Sequence, residues 1–178
     1  SLESDQVTEI CPKASAKGIV VPANWNCPGQ IVVSGDPAAV EEAVKLAQEA
    51  GSRRSVMLPV SGAFHSPLVQ PAVEVMNGEL ARAQFQPPRC RFVANVSAKV
   101  VGDVQTIRQG LADQIVSCVL WADSVQTMAR EGAGLFIEVG SGKVLTGLLR
   151  RIGKELAGVS FGAPGDLDGV RRAISEPG

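Results

Sequence analysis

Short apolar runs alternate with amphipathic stretches along most of this chain, and that alternation constrains its fold more than any other feature. The runs at 18–22, 30–35, 55–60, 91–96 and 135–139 are brief and rich in Val and Ile, as strands are. Between them, apolar residues recur at helical spacing. Residues 4–16 carry Val7, Ile10 and Cys11, residues 36–50 carry Val40, Val44, Leu46 and Ala47, and residues 67–83 carry Val69, Val73, Met76 and Leu80. Further helices are expected over 106–116, over 121–131 and from Gly140-Ser141-Gly142 to Ile152, with a last strand at 159–161 and a last helix at 166–174. Asp36-Pro37 marks a helix start, Gly51 and Gly132 mark helix ends, and Pro12 interrupts the first helical pattern. Asn24 to Gly29 reads as turn chemistry. The apolar run Leu135–Val139 reads as a buried parallel strand.

The alternation predicts an α/β layer architecture. Its first part has the order α-β-β-α-β. A ferredoxin-like lobe has the order β-α-β-β-α-β. Residues 1–59 are therefore expected to form a ferredoxin-like small lobe lacking its first strand, with a second part over 60–178. Such a lobe leaves a sheet position open, an edge that compact proteins cover or pair.

Composition narrows the function classes. The chain has 178 residues, 45% of them apolar, enough for a real core and against disorder. A formal net charge of -1, no tyrosine and few other aromatics argue against nucleic-acid binding. No apolar run approaches the ~20 residues that span a bilayer. The start, Ser1-Leu2-Glu3-Ser4-Asp5, is polar and acidic, unlike a signal peptide, and a cytoplasmic location is expected. Cys11, Cys27, Cys90 and Cys118 are scattered and His65 is the only histidine, so no metal site is expected and the thiols are expected to be free.

His65 carries the strongest chemical signal. It sits in Gly62-Ala63-Phe64-His65-Ser66-Pro67, a loop leading from a strand into a helix. A lone histidine is more often structural or merely exposed than catalytic, but loops on a rigid scaffold are where active residues concentrate. Residue chemistry alone leaves both readings open. Asn24, Asn26 and Gln30 lie in a second dense motif, readable as a self-bonded turn or as substrate contact. Gly140-Ser141-Gly142-Lys143 lacks the spacing of a phosphate loop, and Val144 stands where Ser or Thr is needed, so nucleotide hydrolysis is rejected. The amides at that helix start remain candidates for holding an anion. Lys143, Arg150 and Arg151 make a basic helix face.

Four segments together resemble the malonyl-CoA:acyl carrier protein transacylases of bacterial fatty acid synthesis. They are Val21-Pro22-Ala23-Asn24-Trp25-Asn26-Cys27-Pro28-Gly29-Gln30, Leu58-Pro59-Val60-Ser61-Gly62-Ala63-Phe64-His65-Ser66, Phe92-Val93-Ala94-Asn95-Val96, and the stretch from Phe136 through Glu138, Gly140, Gly142 and Lys143 to Leu148. Their order and separations match as well. The resemblance implies that 60–178 is the C-terminal part of an α/β-hydrolase-like acyltransferase subdomain. It also implies a ping-pong acyl transfer, in which a serine in a Gly-His-Ser-x-Gly elbow attacks the malonyl thioester and a histidine takes its proton. By position His65 is that histidine, and Gln114 is the residue whose main-chain carbonyl orients it. The Gln114 side chain is then expected to matter less than the backbone path. Ala63-Phe64-His65 resembles the form associated with malonyl rather than methylmalonyl selection, with Phe64 crowding the acyl α-carbon. Asn26 is the turn residue expected to face the cleft. The implied substrates are malonyl-CoA and the phosphopantetheinylated acyl carrier protein, with no further cofactor. The basic face of Lys143, Arg150 and Arg151 is a candidate dock for that acidic partner.

The sequence departs from the family at Cys27, where serine is usual, and at Cys118 and Ser141, where proline is common. No Gly-His-Ser-x-Gly elbow occurs in these 178 residues. The family's nucleophile, its carboxylate-binding arginine and its oxyanion-hole donors lie upstream of the region that this chain resembles. Ser66 adjoins His65, a spacing at which nucleophile and base do not normally meet, and Cys27 has no oxyanion hole. The expectation is therefore the base half of a transacylase, completed by an N-terminal portion of the same enzyme. The alternatives are a non-catalytic carrier-protein-binding module and a fragment of a polyketide synthase acyltransferase domain.

Overall fold

The protein is described by a computed structural model covering residues 2 and 4–175, so the polar start of the chain lies partly outside the described residues. Contacts divide the chain into two compact units, one ending at Ser124 and the other beginning at Val125. The elements confirm a mixed α/β architecture.

The first unit is built on an antiparallel hairpin, β1 (Val20–Cys27) and β2 (Gln30–Gly35). Helices α1 (Ser4–Ala14) and α2 (Pro37–Glu49) pack with it. Val7, Ile10, Cys11 and Ala14 of α1 recur at three- and four-residue intervals and are buried, and they share a core with Val20, Ala39 and Ala43. That apolar stripe carries α1 through Pro12, whose missing N–H would otherwise break it. Ser15 to Lys17 form a single 3-10 turn rather than more α-helix. Gly18 then turns the chain at φ 132, where a Cβ would lie 2.7 Å from the Asp36 carboxylate. Asp36 opens α2 without capping it: its Oδ2 accepts from the Ile19 N–H at 2.7 Å and so ties the start of α2 to the start of β1.

Two expectations need correcting here. Residues 24–27, read as a turn, continue β1, and the turn shrinks to Pro28 and Gly29, with Gly29 at φ 71. Pairing with β2 outweighs the poor strand preference of asparagine, and the ladder absorbs the misfit as irregularities at Ala23 and Asn26. Residues 55–60, read as a strand, form no ladder among the described residues. A strand exists by its partners, and here Val56, Met57, Leu58 and Val60 are more than half exposed.

Beyond that segment, a 3-10 turn (Pro67–Val69) leads into α3 (Pro71–Arg82). A short hairpin follows, β3 (Phe92–Ala94) with β4 (Lys99–Val101), turning through Ala98 at φ 54. The second strand of that hairpin was not anticipated. Next come α4 (Val104–Asp113), capped by Asp103 Oδ1 accepting from the Thr106 N–H at 2.8 Å, and α5 (Trp121–Arg130).

The second unit contains β5 (Leu135–Val139), α6 (Val144–Ile152), β6 (Ala157–Phe161) and α7 (Leu167–Ser175). The two strands pair in parallel, with Leu135 opposite Ala157 and Val139 opposite Phe161, and α6 is the crossover between them. Among the described residues β5 is covered on one face only, where its apolar run predicts cover on both. The Thr146 hydroxyl bonds both Glu138 and Ser160, so α6 lies over the face that carries those two residues. On the opposite face Ile137 and Val139 are 39% and 75% exposed. Among the described residues no helix is long and apolar enough to cross a membrane.

Candidate active site

His65 lies in the loop before α3, half-buried, with φ 59. That left-handed conformation is uncommon outside glycine, although histidine enters it more readily than most residues. Two hydrogen bonds hold it there. The His65 main-chain N–H donates to the carbonyl of Ile115 at 3.2 Å. Its Nδ1 lies 2.9 Å from the carbonyl oxygen of Gln114. A carbonyl only accepts, so Nδ1 carries the proton and Nε2 carries the lone pair.

Gln114 ends α4, and its own N–H donates to the Gly110 carbonyl at 3.0 Å. Its side chain has a task of its own. Nε2 donates to the carbonyls of Ser117 at 2.8 Å and Cys118 at 3.4 Å. It folds the segment after α4 back on itself, the same segment whose carbonyls hold His65. That segment is also joined to β1: the Trp25 N–H donates to the Val119 carbonyl at 2.9 Å, and the Val119 N–H to the Ala23 carbonyl at 2.8 Å. Leu120 N–H donates to the Asn95 carbonyl at 3.0 Å. Residues 114–120 therefore connect three of the four motifs read from the sequence. Sequence reasoning picked out Gln114 but not this hub. Its partners are main-chain groups, which carry no residue signature.

Ser66 is completely buried; its hydroxyl donates to the Ala63 carbonyl at 2.6 Å and accepts from the Leu68 N–H at 3.3 Å. It caps the following turn, and its proton is committed away from His65. Phe64 is 57% exposed, and its ring packs on Gly62, where an added Cβ would meet ring carbons at 3.3 Å. Asn26 sits at the irregularity in β1 between Trp25 and Cys27, a place where strands re-aim side chains.

The cysteines do not resemble nucleophiles. Burial pushes the Cys118 thiol up to about 11, and Cys27 is 4% exposed at the end of β1. None of the four cysteines is joined in a disulfide among the described residues.

In the second unit, the Gly140-Ser141-Gly142 turn uses positive φ at Gly140 and Gly142 to enter α6. Glu138 occupies amides in the first turn of that helix. The Glu138 carboxylate accepts from the N–H groups of Leu145 at 3.1 Å and Thr146 at 2.8 Å, and from the Thr146 hydroxyl at 2.7 Å. The chain supplies its own anion at that helix start. Those bonds, the Thr146 hydroxyl first, hold the Glu138 carboxyl below its ordinary range. Lys143 precedes α6, and Arg150 and Arg151 lie exposed in its last turn.

Residues 2–164 match the acyl transferase domain family. The chain is 34% identical over 176 residues to a malonyl CoA-acyl carrier protein transacylase of Bacillus subtilis (strain 168), covering 98% of this chain and 56% of that protein. It superposes with a TM-score of 0.92 and 39% identity on a crystal structure of a malonyl-CoA:acyl carrier protein transacylase from Xanthomonas oryzae pv. oryzae, covering 97% of this chain and 55% of that one. A malonyl-transacylase in complex with its type II PKS acyl-carrier protein is similar at TM-score 0.90 and 32% identity, covering 94% and 54%. The chain thus spans a little over half the length of the relatives it matches. Nearly all of it lies within one family match, and by that match the chain belongs to the acyl transferase domain family.

Proposed function

We propose that this chain supplies the general-base half of a malonyl transfer from malonyl-CoA to the phosphopantetheine thiol of acyl carrier protein. The observation that carries this reading is the 2.9 Å contact of His65 Nδ1 with the Gln114 carbonyl, which leaves Nε2 as the proton acceptor. A serine hydroxyl adds to the malonyl thioester carbonyl while its proton moves to Nε2. The C–S bond then breaks, and the departing coenzyme A thiolate takes that proton. The carrier thiol attacks the acyl-serine, gives its proton to Nε2, and the released serine oxygen recovers it. A positioned base of this kind contributes about 10²- to 10⁴-fold. Orientation by a carbonyl dipole stabilises the imidazolium less than a carboxylate does.

The serine comes from outside these 178 residues, from an N-terminal portion of the same enzyme. Supporting this, the chain spans 56% of its Bacillus subtilis relative and contains no Gly-His-Ser-x-Gly; its one Gly-x-Ser-x-Gly string, Gly158 to Gly162, runs along β6, where the Ser160 hydroxyl pairs with that of Thr146. Residues 1–59 are read as a ferredoxin-like small lobe lacking its first strand, its expected strand at 55–60 forming no ladder among the described residues, and 60–178 as the C-terminal part of the hydrolase-like subdomain. The packing of α1 and α2 with the β1–β2 hairpin supports the first of these. Asn26 and Phe64 face the acyl group; Phe64 rejects an extra methyl by about 1–3 kcal/mol. The acidic carrier docks on Lys143, Arg150 and Arg151. The chemistry needs no cofactor beyond the two substrates and takes place in the cytoplasm. The related complex with a type II PKS carrier favours a polyketide carrier as the second reading.

The test is a chimera joining the upstream part of the Bacillus subtilis relative to this chain, assayed with malonyl-CoA and holo carrier protein. Transfer is expected from the chimera, to be nearly abolished by His65→Ala, and to be absent from the chain alone. Transfer by the 178-residue chain alone, or a fully active His65→Ala chimera, overturns the reading. Undiminished carrier binding after K143E/R150E/R151E removes the docking face.

A further inference from the structure

Arg108 lies far from His65 in sequence, yet it closes a circuit that contains it. The residue is half-buried in the middle of α4. Its Nη1 donates to the carbonyl of Leu80, and Nη2 donates to the carbonyl of Ala83 at 3.4 Å. Its Cζ lies 4.8 Å from the centre of the Phe85 ring. Those carbonyls belong to the last turn and the end of α3, where unsatisfied acceptors and the negative end of the helix dipole favour a cation. Arg108 thus caps one helix from the side of another.

The two helices meet a second time through the loops that flank them. His65 and Ser66 precede α3, and Gln114 follows α4. From Arg108 to Gln114 is about 9 Å along α4, and from Pro71 to Leu80 about 14 Å along α3, at ~1.5 Å per residue. The helix pair is therefore held at two separated points, the Arg108 clamp and the contact of His65 Nδ1 with the Gln114 carbonyl. Only the first is made by a rigid, planar, multiply bonded charge. The second consists of two hydrogen bonds from His65, Nδ1 with the Gln114 carbonyl and the main-chain N–H with the Ile115 carbonyl at 3.2 Å, in a loop strained at His65. Loosening the clamp lets the helices shift, and the carbonyl moves with α4.

We propose that Arg108 is a positioning residue for His65, holding α3 against α4 so that the Gln114 carbonyl keeps the proton on Nδ1. The catalytic consequence rests on the reading of His65 as the base; the positioning does not.

The chain has a single histidine, so its imidazole nitrogen signals in NMR report His65 alone. The wild-type chain is expected to show the Nδ1–H tautomer. Arg108→Met, which keeps the stem and loses the donors, is expected to give a mixture containing substantial Nε2–H. Arg108→Lys, which can reach one carbonyl but not both, is expected to lie between them and covers the case in which Arg108→Met does not fold. Val170→Ala, a buried change in α7, serves as a comparably destabilised control and is expected to keep the wild-type signal. In the chimera, Arg108→Lys is expected to lower kcat on the order of 10-fold with KM for malonyl-CoA unchanged, as misplacement of a reacting group does. A wild-type tautomer in Arg108→Lys and in whatever Arg108→Met folds overturns the proposal. The same tautomer shift in Val170→Ala also overturns it, by reducing Arg108 to general stability. If the tautomer follows Arg108 but His65→Ala leaves transfer intact, the positioning stands and the base assignment fails.

Discussion

The main-chain carbonyl of Gln114 and the imidazole of His65 lie 2.9 Å apart across 49 residues of chain, while the Gln114 side chain turns away to bond Ser117 and Cys118. One residue thus holds the base with its backbone and the surrounding loop with its side chain. Gln114→Ala keeps the carbonyl and frees two acceptors. It is expected to cost about 1–2 kcal/mol of stability in urea unfolding, to keep His65 in the Nδ1–H form by NMR, and to retain more transfer than His65→Ala in the chimera. Equal losses of transfer would sink the backbone role.

Ser66 separates a structural from a nucleophilic hydroxyl. Ser66→Ala removes the cap on the turn before α3 and leaves the Ala63 carbonyl without its 2.6 Å donor. A loss of about 1–2 kcal/mol is expected in denaturant unfolding. Intact-mass spectrometry of the chimera after malonyl-CoA should still show the acyl adduct. Its disappearance would make Ser66 the acceptor.

Glu138 ties the start of α6 to β5, and the sign of its pH dependence follows from its hydrogen bonds. Its carboxyl is held below the ordinary range, so the stabilisation is fully present above about pH 4.3, the unfolded value, and is lost as pH falls through the lower folded value. Thermal unfolding between neutral pH and pH 3 should show this loss, and Glu138→Gln should show a shallower acid slope from a lower starting stability. Part of the slope remains, because Asp103 and Asp166 are also held low by main-chain N–H groups. An unchanged slope would mean that the carboxylate is not what closes the helix.

Thiol reactivity should sort by burial. Cys11 and Cys118 are both pushed up to about 11 by desolvation, Cys27 is buried and Cys90 is exposed. Iodoacetamide at neutral pH is expected to modify Cys90 first and the other three only on unfolding, as peptide mapping would show. Rapid labelling of Cys27 or Cys118 in the native chain would reopen the question of a cysteine nucleophile.

Much of the fold was legible because it rests on local rules. The stripe of Val7, Ile10 and Cys11, the Asp36-Pro37 start and the parallel strand at Leu135–Val139 all lie where periodicity and turn chemistry put them. The errors share one cause. Asn24 to Cys27 became strand because β2 was there to pair with, and residues 55–60 did not because nothing described pairs with them. Asp36-Pro37 does mark a helix start, but the Asp36 carboxylate accepts from the distant Ile19 N–H and not from the first turn of α2.

The site divides in the same way. Sequence by itself determined which side chains stand in which order, and so identified the lone histidine, its Gly-Ala-Phe-His-Ser-Pro loop and the four motifs. Only the tertiary structure decided which nitrogen of His65 holds the proton, that Ser66 is committed to a cap, that Glu138 fills the helix start behind Gly140-Ser141-Gly142, and that Val119 bridges to β1. The physical reason is that all four depend on main-chain N–H and C=O groups, near in sequence for Ser66 and Glu138 and brought in from distant parts of the chain for His65 and Val119. Those groups are the same in nearly every residue, so their partners are set by where the chain folds and not by what its letters are.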